Sequence, residues 1–160
     1  MPGVGKSTIG VILAKVLGYQ FVDADLLIQQ SEHKLLKDII AEKGVEGFIE
    51  VENRVNANLH TNNSVIATGG SVIYGKEAMK HLGEIGTIIY LKQTLPSIRR
   101  RLNNIQGRGV VLKEGQTFSD LYRERCALYE KYADITVDQH GLSIEQTMHA
   151  VCAALEGFNS

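Results

Sequence analysis

The sequence predicts a three-layer α/β fold, in which helices cover both faces of a parallel β-sheet. Short apolar runs rich in β-branched residues alternate along the chain with longer stretches in which apolar residues recur at helical spacing. Such runs are typical of parallel strands that are buried on both faces. The chain has 160 residues, which fits one domain, and we expect a single domain over residues 1–160.

The elements follow each other in a regular order. The first helix is predicted over 7–17, because four apolar residues recur at helical spacing and Gly18 supplies a C-terminal stop. The predicted strands cover 19–22, 64–68, 87–91 and 134–137. Further helices are predicted over about 32–42, 47–60, 117–131 and 143–155, and on either side of the strand at 87–91.

Composition and charge exclude several classes of function. Seventeen basic and eighteen acidic residues give a formal net charge of −1, which creates no field that would attract nucleic acid or an anionic membrane. The longest apolar runs have about five residues, far fewer than the roughly 20 that span a bilayer. Cys126 and Cys152 lack metal-ligand or CxxC spacing. We therefore expect a cytoplasmic monomer with free thiols that binds neither nucleic acid nor membranes.

A glycine-rich motif at the amino end predicts a phosphate-binding loop. Gly3-Val4-Gly5-Lys6-Ser7-Thr8 forms the second half of the pattern G-x-x-x-x-G-K-[ST], and the first predicted helix follows directly. In such a loop, glycines let backbone N–H groups converge on phosphate oxygens, and the helix N-terminus favours negative charge. Lys6 would neutralise the β- and γ-phosphates, and Ser7 would bind magnesium. The alternative is a glycine-rich turn that only caps a helix.

The strand that normally leads into such a loop is absent from the sequence. The first glycine of the pattern would fall one position before Met1, and the strand would precede that glycine. This strand is central in sheets of this type, so its loss should expose apolar faces of both neighbours and leave their backbone groups unpaired. We expect the sequence to begin late relative to the folded domain.

Several motifs, taken in order, resemble those of the shikimate kinase family, and the resemblance covers nearly the whole chain. They are GVGKST at 3–8, FVDAD at 21–25, ATGGS at 67–71, Arg101 and Arg108, and RCALYEKYAD at 125–134. The resemblance implies a P-loop kinase fold like that of nucleoside monophosphate kinases. It also implies phosphorylation of shikimate to shikimate 3-phosphate with ATP and Mg²⁺, a step of aromatic amino acid biosynthesis.

Two aspartates, Asp23 and Asp25, follow the predicted strand at 19–22. Because they are spaced two apart at the end of a strand, their side chains point to the same side. The resemblance implies that Asp23 lies near the magnesium ion through water. It implies that Asp25 accepts hydrogen bonds from the substrate and acts as base on the attacking hydroxyl. The alternative is that one of them caps the following helix.

Two glycines, Gly69 and Gly70, follow the strand predicted at 64–68. Without side chains, they let backbone N–H groups approach a bound ring. The resemblance implies a substrate-facing glycine turn, in which Ser71 stands where the family usually has a third glycine. A plain turn between a strand and a helix is the alternative.

A polar, glycine-bearing segment at about 103–115 resembles the family's mobile lid. The resemblance implies that Arg108 stabilises charge on the transferring phosphoryl group and that Arg101 lies beside the adenine. The family usually has proline directly after the arginine that Arg108 matches, whereas this chain has Gly109. Arg101 has a second interpretation, as a solvated arginine on a helix surface.

The substrate carboxylate is assigned by resemblance to Arg125, which matches an arginine that binds it in a bidentate pair. The alternative is a surface ion pair with a nearby glutamate such as Glu124. The five histidines are scattered without ligand spacing, and no role is assigned to them.

The family's second carboxylate-binding arginine is replaced by Ile49, within the substrate-binding helices expected at about 32–60. Loss of one bidentate contact should cost on the order of a few kcal/mol of binding. Glu52, which the family uses to orient that arginine, is retained, and it is left to pair with Arg125, with Arg54 or with nothing.

Three functions follow from these observations. The first is an ATP:shikimate 3-phosphotransferase. The second is a kinase of the same fold that acts on another sugar acid such as gluconate, which the changes at Ile49 and Ser71 would favour. The third is a nucleotide-binding homologue that has lost catalysis.

Overall fold

The fold consists of four short strands and seven α-helices in the residues that the computed structural model describes, 1–103 and 112–160. The strands are β1 Gln20–Asp23, β2 Ser64–Ala67, β3 Ile89–Lys92 and β4 Ile135–Asp138. The helices are α1 Lys6–Leu17, α2 Ala24–Glu32, α3 Leu36–Ala57, α4 Lys76–Ile85, α5 Leu95–Asn103, α6 Phe118–Tyr132 and α7 Ile144–Phe158. A short 3₁₀ turn, Val72–Tyr74, lies between β2 and α4. The predicted alternation of strands and helices is therefore present.

Local sequence signals explain where several helices begin and end. Gly18 ends α1 in the left-handed conformation, with φ of 69°. Helix α6 begins at a capping box of Thr117 and Asp120, and α7 begins at one of Ser143 and Gln146. These ends agree with the sequence prediction to within three residues.

The region expected to hold two helices at about 32–42 and 47–60 is α3, which a sharp kink divides into two segments. At Gly44 the backbone leaves the helical conformation, with φ of 71° and ψ of −179°, a combination that only glycine adopts without strain. The break predicted between 42 and 47 is thus confirmed, although the first segment begins at Leu36 rather than at 32. Helix α2 was not predicted; Asp23 caps it and Ile28 is fully buried in it.

All four strands pair in parallel, as predicted, but they form two separate pairs. In one pair, β1 lies beside β2 with Gln20 opposite Ser64, and in the other, β3 lies beside β4 with Ile89 opposite Ile135. Within residues 1–103 and 112–160, no strand lies between β2 and β3. This division agrees with the expectation that the neighbours of an absent strand are left unpaired.

A cavity of about 760 Å³ separates the two pairs of strands. Its lining is mainly apolar and comes from α1, β2, α4, β3 and α7, with Ile9, Leu13, Val65, Ile89 and Val151 among the lining residues. The cavity has the position in which the sequence analysis expected exposed faces on the neighbours of an absent strand.

Two apolar clusters form the core of the described residues. The larger cluster joins α1, β3, β4, α4 and α7. The smaller cluster packs α2 against α3 through Ile28, Ile39, Phe48 and Val51. None of the helices that the structure describes is both long and apolar enough to cross a membrane.

The carboxyl ends of the parallel strands meet the start of α1 at one edge of the molecule. Asp23 ends β1, the glycine turn follows β2, and Gln139 follows β4. Ligands of open α/β folds bind in the crevice beyond this edge. The fold therefore collects the residues singled out in the sequence at the place where a ligand is expected.

Candidate active site

The phosphate-binding loop at residues 3–8, called the glycine loop below, turns sharply into α1. Gly3 and Gly5 have φ of 77° and 91°, values in the left-handed region that favours glycine. No side chain caps the start of α1 among the described residues, and Ser7 and Thr8 are exposed there. The first N–H groups of an uncapped helix are available to an anion, and the helix dipole favours negative charge at this end.

Three side chains hold the carbonyl oxygens of this loop. The bonds run from Lys6 Nζ to Met1 O at 2.7 Å, from Arg101 Nη1 to Gly3 O at 3.1 Å, and from Gln139 Nε2 to Val4 O at 3.1 Å. With its carbonyl groups engaged on these donors, the loop can direct N–H groups toward a ligand. Arg101 therefore contacts the loop, and is not the solvated surface arginine of the alternative interpretation.

The site has a positive electrostatic character near the loop. The pKa of the Met1 amino group is lowered well below its usual value, first by burial and then by the charges of Lys6 and Arg125. Two cationic side chains from distant parts of the sequence therefore act on the same place. An anionic ligand would be attracted to it.

The two aspartates lie at the start of α2 rather than in a loop. Asp23 Oδ1 accepts a hydrogen bond from the backbone N–H of Asp25 at 2.9 Å, so Asp23 is the N-cap of α2. The capping interpretation thus applies to Asp23. Asp25 Oδ1 lies beside Gly69, 3.1 Å from the point that a Cβ atom on that glycine would occupy.

The glycine turn is closely packed on both of its glycines. A Cβ atom on Gly69 would meet Glu52 Oε2 at 2.5 Å, and one on Gly70 would meet Arg125 Nη1 at 3.0 Å and Tyr129 Oη at 3.2 Å. Tyr129 Oη also donates a hydrogen bond to Gly70 O at 2.6 Å. A side chain on either glycine would therefore crowd Glu52, Arg125 or Tyr129, which pack directly against the turn.

Arg125 is buried beside this turn, with only 9% of its surface exposed. Its guanidinium carbon lies 5.7 Å from the centre of the Tyr74 ring. It forms no salt bridge with Glu124 or another carboxylate within the described residues, and its Nε atom has no hydrogen-bond partner there. The surface ion pair is therefore not what the structure contains, and a buried cation with an unused donor can bind an anionic group.

Glu52 is buried in the same place, with 1% of its surface exposed. It does not pair with Arg54, which binds Glu32. It does have a partner, because Ser71 Oγ donates a hydrogen bond to its Oε1 atom at 2.5 Å. The pKa of Glu52 is raised to about 7, first by burial and also by the Asp25 carboxylate, against the lowering effects of the Ser71 hydrogen bond and of the Arg125 and Lys6 charges. The sequence analysis missed the Ser71 contact.

Gln139 and Tyr129 were also missed as contributors to the site. Gln139 is 4% exposed and supports the glycine loop, while Tyr129 supports the glycine turn. The available signal in the sequence was a polar side chain near the carboxyl end of a strand or helix. Many other polar residues share that position, so the signal could not single these two out. Arg108 and most of the segment expected as a lid at 103–115 lie outside the described residues.

No group of three or more His, Cys, Asp and Glu side chains that could hold a metal ion occurs in the described part of the chain. Magnesium that arrives with a nucleotide needs no such group, because one or two protein ligands, phosphates and water complete its coordination. The exposed Ser7 hydroxyl and the Asp23 carboxylate are oxygen donors of the required type.

A phosphate loop on a parallel α/β fold, beside a glycine turn against which a buried arginine and an aspartate pack, is typical of a P-loop kinase that acts on a small molecule. The family model for shikimate kinase matches residues 2–156. The chain therefore belongs to the shikimate kinase family, whose members are phosphotransferases with an alcohol group as acceptor.

Individual relatives agree with this assignment. A shikimate kinase of Persephonella marina is 35% identical over 150 residues, which cover 93% of this chain and 91% of the relative. One of Bacillus mycoides is 36% identical over 148 residues, which cover 92% of this chain and 89% of the relative.

The fold is similar to solved structures of the family. The shikimate kinase from Acinetobacter baumannii in complex with shikimate has a TM-score of 0.87 and 26% identity, over 97% of this chain and 88% of that one. The shikimate kinase from Bacteroides thetaiotaomicron has a TM-score of 0.79 and 25% identity, over 97% of this chain and 94% of that one. The predicted fold class and family are thus confirmed.

Proposed function

We propose that the protein transfers the γ-phosphoryl group of ATP to a hydroxyl of shikimate, giving shikimate 3-phosphate and ADP. The observation that carries the proposal is the meeting of an uncapped phosphate loop with a glycine turn against which Asp25 and the buried Arg125 pack. The protein acts as a cytoplasmic monomer on a small-molecule substrate.

The phosphates of ATP bind to the backbone N–H groups of the loop at residues 3–8. Lys6, now on Met1 O, would move to the β- and γ-phosphates, which are stronger acceptors than a neutral carbonyl. Arg101 lies against the loop and would border the adenine. Arg108 would add positive charge at the transferring group. These groups stabilise the charge that spreads over the phosphoryl oxygens in the transition state.

Ser7 and Asp23 would hold the magnesium ion, Ser7 directly and Asp23 through water. When bound, the ion neutralises charge on the β- and γ-phosphates. Asp23 already uses one oxygen as the N-cap of α2, and its second oxygen supplies the contact to metal-bound water.

The acceptor lies between Asp25 and Arg125. Arg125 binds its carboxylate, and the glycine turn holds Asp25 and Arg125 close to the backbone of residues 69 and 70. Asp25 accepts the proton of the attacking hydroxyl while the hydroxyl oxygen forms a bond to the γ-phosphorus. The bond between that phosphorus and the β,γ-bridging oxygen breaks, and ADP leaves.

A second candidate acceptor is a different sugar acid such as gluconate. Ile49 lies one helical turn before Glu52 on α3, where the family has an arginine, so this chain offers the carboxylate one cation rather than two. Weaker selection of the ring acid is the expected result. Loss of catalysis with retained ATP binding is the third outcome that an assay must separate.

The test is a coupled assay of ADP release with magnesium-ATP and either shikimate or gluconate as acceptor. We expect saturable turnover with shikimate, and a fall of about 100-fold in kcat/KM for Arg125→Ala, since one charge-assisted pair contributes about 3 kcal/mol. Arg123→Ala is the matched control, because Arg123 lies on the same helix with 78% of its side chain exposed.

The outcomes separate the candidates. Turnover with gluconate and none with shikimate would replace the acceptor, and ATP binding without turnover on either acid would indicate lost catalysis. Equal effects of Arg125→Ala and Arg123→Ala, with both variants folded by circular dichroism, would contradict the role given to Arg125.

A further inference from the structure

The bond between Ser71 and Glu52 joins the glycine turn to helix α3. Ser71 Oγ donates to Glu52 Oε1 at 2.5 Å across 19 positions of sequence. The next residue of the helix, Asn53, accepts the backbone N–H of Ala78 at 2.9 Å, so α3 also holds the chain beyond the turn. Two adjacent side chains of α3 therefore fix the segment that runs from the turn to α4.

Glu52 itself cannot contact a ligand in this arrangement. Its side chain is 1% exposed, and its Oε2 atom is enclosed and has no hydrogen-bond partner among the described residues. A buried carboxylate with one unsatisfied oxygen is costly, so the single bond to Ser71 matters more than an exposed one would. Glu52 and Ser71 must therefore act through the groups that they hold.

The groups that they hold are on the turn. Glu52 Oε2 lies against Gly69 on one side, where Asp25 also approaches. Gly70, the next residue, lies against Arg125, and its carbonyl oxygen accepts a hydrogen bond from Tyr129. The aspartate and the arginine thus pack against successive residues of one turn, so the position of the turn affects how these two side chains are placed.

We infer that Ser71 and Glu52 are positioning residues that set the distance between Asp25 and Arg125, and so the fit of the acceptor. The inference rests on the proposed function, because it assumes that the acceptor binds between those two side chains. A single arginine for the carboxylate makes this spacing more important, since the acceptor is not aligned by a second cation. A misplacement of the order of 1 Å can reduce catalysis by about 100-fold.

The experiment is a double-mutant cycle on the two residues, read by the KM values for shikimate and for ATP. We expect Ser71→Ala and Glu52→Ala each to raise the KM for shikimate about tenfold, and the double variant to raise it no further, because each change breaks the same bond. The KM for ATP should stay within about twofold, since the bonds that hold the carbonyl oxygens of the loop come from Lys6, Arg101 and Gln139.

Conservative variants distinguish positioning from a general loss of stability. Ser71→Thr keeps the hydroxyl donor, and Glu52→Gln keeps an oxygen that accepts from Ser71. Both should retain most of the affinity for shikimate. Ser31→Ala and Glu50→Ala are matched controls at exposed positions of α2 and α3 and should leave both KM values unchanged.

Each outcome decides the inference. Equal KM values for shikimate in Ser71→Ala and the unaltered protein, or additive effects in the double variant, would overturn it and leave the proposed function standing. If Glu52→Ala fails to fold, Ser71→Ala with its rescue by Ser71→Thr decides alone. If the unaltered protein neither binds shikimate in calorimetry nor phosphorylates it, the proposed function and the inference both fail.

Discussion

Glu52 carries a carboxylate in surroundings that favour its neutral form. Burial raises its pKa from about 4.5 to about 7, so between these values the folded state binds more protons than the unfolded chain. The stability that this residue contributes is therefore fully present below about pH 4.5 and is lost as the pH rises from there through about 7. Glutamine at this position does not titrate. We therefore expect the free energy of unfolding of Glu52→Gln, relative to that of the unaltered protein, to be higher at pH 8 than at pH 5 by on the order of 3 kcal/mol. Urea unfolding at both pH values measures the difference.

The comparison between two pH values removes any constant effect of the substitution. Glu50→Gln, on the exposed face of the same helix, is the control and should show no such change. A difference between Glu52→Gln and the unaltered protein that is the same at pH 5 and pH 8 would contradict the assigned burial effect.

Helix α6 is the element that presents Arg125 and Tyr129 to the site, and it begins at a capping box. Thr117 Oγ1 accepts the backbone N–H of Asp120 at 3.1 Å, and Asp120 Oδ2 accepts that of Thr117 at 3.0 Å. Loss of an N-cap side chain costs about 1 kcal/mol. We expect Thr117→Ala to lower the free energy of unfolding by that amount in urea, and Thr117→Ser to keep most of it. Equal losses in both variants would show that the cap is not the cause.

The whole molecule is divided by the cavity between β2 and β3. Both facing edges carry backbone groups that no strand of the described residues pairs, and the cavity of about 760 Å³ is mainly apolar. A strand that fills it would gain hydrogen bonds on two sides and bury apolar area. We expect a variant lengthened before Met1 by six apolar, β-branched residues to have a Tm higher by several degrees in calorimetry. A glycine-serine extension of equal length is the control, and an equal Tm for both would contradict this expectation.

The elements and the phosphate loop could be predicted from the sequence because local residues determine them. Gly5 and Gly18 adopt the positive φ values that their positions at the two ends of α1 require, and Thr117 supplies a cap beside its own helix. The break predicted between 42 and 47 is likewise local, because Gly44 supplies it with a φ of 71°.

The sequence by itself determined the phosphate loop, the order of strands and helices, and the motifs that indicated the family. Only the tertiary structure decided that Ser71 binds Glu52 and that Gln139 supports the loop. The two residues of the Gln139 bond are 135 positions apart. Contacts of this kind depend on how distant elements pack, and neither periodicity nor local propensity encodes that packing.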